Sequence, residues 1–128
     1  MQLKDFVTFI IAALVLLSLD AIYFYFLSGL FISQIQQVQK TKFTVPNPIY
    51  LLSCYAVLTT GLFYFILRDH RSIWDAAFLG FIIYAIFETT NGAMFNNWKI
   101  STVVLDTAWG AILFGTTTAI TYSVTKLF

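Results

Sequence analysis

Three acidic residues, Asp20, Glu88 and Asp106, fall inside stretches of chain that otherwise read as membrane-spanning. An Asp at the centre of a transmembrane helix costs about 2.5–3.5 kcal/mol on insertion scales, so such residues face a bundle interior or a water-filled cavity. A carboxylate accepts hydrogen bonds or takes a cation, and a protonated carboxyl also donates. Helical spacing supplies each acid with a neighbour. Tyr84, Glu88 and Asn91 stand at i, i+4 and i+7, Asp106 and Trp109 at i and i+3, and Asp20 and Tyr23 at i and i+3. The expected binding site is therefore Asp20, Tyr23, Tyr84, Glu88, Asn91, Asp106 and Trp109. Three carboxylates could hold Mg²⁺ or Ca²⁺ if they converge; the sequence leaves the metal unknown.

The remaining chemistry is sparse. The single histidine, His70, sits in a charged hairpin, and the single cysteine, Cys54, sits in an apolar run. No His/Cys cluster suits zinc, copper or haem. No glycine-rich phosphate loop is present, and no Ser or Cys has an evident base beside it. No catalytic residue and no cofactor is assigned.

These groups must be carried by membrane helices. The 128 residues are 59% hydrophobic and only 10% charged, against about 45–50% and about 25% in globular domains. Four apolar segments, at about 6–31, 49–67, 73–95 and 101–123, are each long enough to cross about 30 Å of hydrocarbon at 1.5 Å per residue. They do not alternate as barrel strands do. The expected fold is all-α, a single transmembrane domain over 1–128: a four-helix bundle running up-down-up-down. The first apolar run continues past Asp20 with no small-residue cleavage site, so it reads as a retained helix and not a signal peptide.

The connections are polar. Ser33–Asn47 reads as an interfacial turn, with Pro46 and Pro48 restraining the start of the second helix. Arg68–Arg71 and Asn96–Lys99 read as short hairpins. Tyr50 and Trp98 are expected in the interfacial aromatic belt, and Gly110 and Gly115 at close helix approaches. The Thr116–Thr118 run is expected to bond back to its own helix. Lys4, Arg68, Arg71 and Lys126 share the face of the termini, against Lys40, Lys42 and Lys99 opposite; this slight bias places both termini in the cytoplasm. The net charge of +1 argues against a polybasic or nucleic-acid-binding surface. The expected surroundings are the lipid bilayer, with homo-oligomers open.

Counting along the helices sets depth. Glu88 precedes the end of the third segment by about two turns, and Asp106 follows the start of the fourth by between one and two. Asp20 lies beyond the middle of the first. All three acids fall in the half of the bilayer opposite the termini.

The stretch Tyr84–Gly110 runs Phe87-Glu88, Thr90-Asn91, Ala93, then Trp98, then Asp106 with Trp109-Gly110. It resembles the pattern of the domain-of-unknown-function family 2177 (DUF2177), an aromatic-acid-x-Thr-Asn-x-Ala core, a Trp, and Asp-x-x-Trp-Gly. Asp20 and Tyr23 resemble that family's first-helix acid and aromatic. The resemblance implies a small multi-pass membrane protein and carries no activity with it. The chain departs from the pattern at Glu88, where the family usually has Asp, and at Val103, where a Thr is common; Thr102 is adjacent.

Three functions fit these residues. In the first, the acidic-amide cluster binds or passes protons, cations or a small polar solute. In the second, the polar residues fix helix register in a structural or assembly protein, since polar contacts join transmembrane helices at about 0.6 kcal/mol each. In the third, an intramembrane lipid-modifying enzyme or its accessory subunit divides acid and base work between carboxyls.

Overall fold

The computed structural model describes residues 2–40 and 46–127. Four helices cross the bundle: α1 (Leu3–Gln39), α2 (Pro48–Leu62, continued by a π-helical turn at Phe63–Leu67), α3 (Ile73–Met94) and α4 (Ile100–Thr125). All four are long and apolar enough to span a membrane. Their outward faces carry large apolar side chains such as Phe26, Val57, Phe78 and Ile86, the surface that lipid covers in an all-α membrane protein.

Local chemistry sets the ends. Asn47 caps α2 by accepting from the Ile49 N–H at 2.9 Å, and Pro48 follows at the first helical position. Ser72 caps α3 through the Asp75 N–H at 3.0 Å. At the end of α2 the Arg68 and Arg71 N–H groups bond to the Phe63 and Ile66 carbonyls, five residues back. That widened turn leads into the hairpin to α3.

The first helix is longer than its apolar run. It continues to Gln39 and stops at Lys40, whose left-handed backbone (φ 56°) closes the last turn. The expected turn from Ser33 is thus helical through residue 39. Residues 41–45 lie outside the described residues. The reason is one buried face: Ala12, Leu16, Asp20, Tyr23, Phe31 and Gln34 keep helical spacing past the end of the apolar run.

The helices pack in the order α2–α1–α4–α3, with α3 against α4 the most extensive interface. Two glycines permit it. A Cβ on Gly80 would overlap the Gly110 carbonyl oxygen and come within 2.8 Å of the Phe114 Cβ, and one on Gly110 would overlap the Tyr84 ring. Gly115 has ordinary space, with Ala77 Cβ at 3.4 Å. The core cluster of Leu16, Leu62, Ile66, Leu113, Phe114 and neighbours fills the half of the bundle nearer the termini. Among the described residues the hydroxyls of Thr117, Thr118 and Thr121 are buried there without partners. The expected back-bonding of the Thr116–Thr118 run is absent at all three positions among the described residues.

Candidate functional site

The antiparallel α3–α4 hairpin brings two acids together. Glu88 and Asp106 lie nine residues either side of Asn97, in the turn. Tyr84 against Gly110, and Gly80 against Phe114, keep the same register one and two helical turns further down. Both carboxyls are buried, at matching positions on the two helices.

Asp106 and Asp20 take their donors from other helices. Tyr23 on α1 donates to Asp106 Oδ1 on α4 at 3.3 Å, and Trp109 Nε1 on α4 donates to Asp20 Oδ1 on α1 at 2.8 Å. The two rings stack face to face, with centroids 4.3 Å apart and an interplanar angle of 2°. Each helix thus supplies the aromatic donor for the other helix's acid. This corrects the same-helix pairing expected from i, i+3 spacing. Asp20 also accepts from the Tyr55 hydroxyl on α2 through Oδ2.

Glu88 is served by Trp98, whose Nε1 donates to Oε1 at 2.8 Å. Neither Tyr84 nor Asn91 bonds it. Asn91 is half-buried near the end of α3, and its side chain makes no hydrogen bond among the described residues. Trp98, expected in the interfacial belt, turns its indole N–H back from the turn towards α3. The extension of α1 holds it there. Gln34 Nε2 donates to the Asn97 carbonyl at 2.6 Å, while its Oε1 accepts from the Lys99 N–H at 3.0 Å and the Thr102 hydroxyl at 3.1 Å.

Tyr55, Trp98, Gln34 and Thr102 were not among the expected site residues. Tyr55 carried a signal, because a tyrosine well inside an apolar span is out of place in a residue type that favours membrane interfaces. Trp98 carried none beyond its place in the turn. Its replacement by Phe should keep the ring and strip Glu88 of its donor. Polar contacts in membranes average about 0.6 kcal/mol with a maximum near 1.7, and a fully buried carboxyl acceptor belongs at the upper end. We expect a loss of about 1–2 kcal/mol, read by thermal unfolding in detergent, and no change on replacing exposed Tyr50 by Phe.

One side of this layer is open. A cavity of about 280 Å³ lies between α2 and α3, with Leu51, Cys54, Tyr55 and Leu58 on one wall and Ile83, Tyr84 and Phe87 on the other. Asp20 and Asp106 line its inner end. The cleft surface is otherwise almost wholly apolar. The Tyr84 hydroxyl has no hydrogen-bond partner among the described residues. Among those residues no set of three His, Cys, Asp or Glu side chains could hold a metal ion, so the three acids do not converge as a cation site requires.

Four apolar spans around a layer of buried carboxyls, with Asp20 and Asp106 bonded across helices and Glu88 bonded from the turn, define a small multi-pass integral membrane protein. The chain belongs to the predicted membrane protein family DUF2177, whose family model matches residues 6–123. No curated protein and no solved structure matches the chain.

Proposed function

We propose that this protein binds a long-chain amphiphile that enters sideways from the bilayer between α2 and α3. The observation that carries this reading is the cleft itself, with apolar walls and two aspartates at its inner end. A chain fits the walls, and a polar end that donates hydrogen bonds, a hydroxyl or an ammonium, fits the acceptors. The Tyr84 hydroxyl adds a group able to donate or accept there.

The alternatives have less support. Passage of a solute needs a polar route through the bundle, and fully buried Leu16, Leu62, Leu113 and Phe114 fill the half below the acids. A purely structural role accounts for the satisfied acids but not for the cavity beside them. Binding alone is proposed, with no reaction step.

The test is photolabelling of the purified protein in nanodiscs with a diazirine-bearing long-chain primary amine, mapped by mass spectrometry. Adducts should concentrate on the cleft walls around Leu51, Leu58, Ile83 and Phe87. Unlabelled amine or long-chain alcohol should compete; a fatty acid, anionic at the same end, should not. Replacing Leu58 by Trp should abolish the cleft adducts. Labelling spread evenly over the lipid-facing residues would overturn the proposal.

A further inference from the structure

The face that carries the termini holds a second polar centre, remote from the acid layer. A cavity of about 90 Å³ lies among the first turn of α1, the end of α2 and the last turn of α4, with Lys4, Arg68, His70 and Tyr122 in its wall. A larger apolar groove of about 240 Å³, formed by Leu3 and Val7, shares Lys4, Thr8 and Thr125 with it. A small charged cavity thus adjoins an apolar groove at the end of the bundle that carries the termini.

The cations there are at most loosely engaged by protein partners. Among the described residues Lys4 forms no ion pair. Arg68 reaches Asp69 only at 3.9 Å, and its guanidinium lies 4.0 Å over the exposed Tyr64 ring. Asp5, also in the wall, is turned to the start of α1, where it accepts from the Gln2 N–H at 3.2 Å. His70 is held in place: it stacks on Tyr122 with centroids 5.4 Å apart, and its backbone is left-handed at φ 52°, a region that few non-glycine residues adopt, histidine among the more frequent of them. The Tyr122 hydroxyl donates to the Arg71 carbonyl at 2.6 Å, fixing the ring on which His70 rests.

We propose that this cavity binds the phosphate of an anionic phospholipid, with one acyl chain in the adjoining groove. A Lys point charge, an Arg fork and an imidazole are the donors that phosphate takes. The apolar groove distinguishes a lipid from a free anion. The chain's low net charge of +1 argues against a diffuse polybasic surface, so any preference for anionic lipid must come from a few placed cations.

The test is native mass spectrometry of the full chain released from detergent with added phosphatidylglycerol or phosphatidylcholine. Phosphatidylglycerol should be retained at lower concentration. Removing one cation should cost about fivefold, so Lys4→Gln with Arg68→Gln should cost more than about tenfold. Arg71→Gln should cost little, because Arg71 lies outside the cavity and pairs with Asp75 at 3.0 Å. Val7→Trp, which leaves every cation in place, should also reduce retention by filling the groove. Equal retention of the two lipids, or an equal loss with Arg71→Gln, would overturn the site. Displacement by millimolar inorganic phosphate, with no effect of Val7→Trp, would make it a soluble-anion site and overturn the lipid assignment.

Discussion

Gly80→Ala should disrupt the α3–α4 hairpin, with a loss of about 3 kcal/mol or more. Overpacking a well-filled interior costs about 1–3 kcal/mol when neighbouring side chains can shift. Here the added Cβ meets the Gly110 carbonyl oxygen, which is backbone, and the Phe114 Cβ at 2.8 Å. Neither can rotate away, so α3 and α4 must separate or slide. Sliding would also part Glu88 from Asp106, because the same register places Gly80 and those acids. Thermal unfolding in detergent, with Gly115→Ala and Gly61→Ala as controls, is the measurement. A Cβ on Gly115 meets only ordinary contacts and one on Gly61 meets nothing within 4 Å, so both controls should stay within about 1 kcal/mol of the parent. A Gly80→Ala protein as stable as these would mean that the close approach is not needed for folding.

That register shows how far the sequence could be read. The four spans were legible because hydrocarbon thickness imposes their length. The meeting of Glu88 and Asp106 followed from their equal distance from a short turn. Three features were not legible, each for a physical reason. Hydrophobicity marks where a helix enters water and not where it ends, so the polar extension carrying Gln34 was read as a turn. Helical periodicity says which residues share a face, but not which helix that face meets; hence Tyr23 and Trp109 were assigned to the acids on their own helices. Finally, α2 bears no acid, so neither Tyr55 nor the cleft beside it could be found from the acidic positions.

Trp109→Ala should be the most damaging change at the site itself, at about 3 kcal/mol, the low end of the range for emptying an aromatic position because Trp109 is partly buried. It removes the Tyr23 stacking partner and the donor to Asp20 together. Trp109→Phe separates the two in part, since an aromatic face remains for Tyr23 while the N–H is lost with the smaller ring of the indole. It should cost about 1–2 kcal/mol. A double-mutant cycle with Asp20→Asn then isolates the bond. The amide fills the same space and keeps one acceptor oxygen but carries no charge, so its need for the indole donor is weaker. Trp109→Phe should therefore cost less in the Asp20→Asn background than in the parent, a coupling of about 0.5–1.5 kcal/mol. Strict additivity would mean that the Trp109–Asp20 bond contributes nothing to stability. The same Asp20→Asn protein tests the site's chemistry. With the fold retained, long-chain amine labelling of the cleft should fall sharply, while labelling by the uncharged alcohol analogue should fall much less. The fold needs an acceptor at position 20, which the amide keeps, whereas capture of an ammonium needs the charge, which the amide lacks.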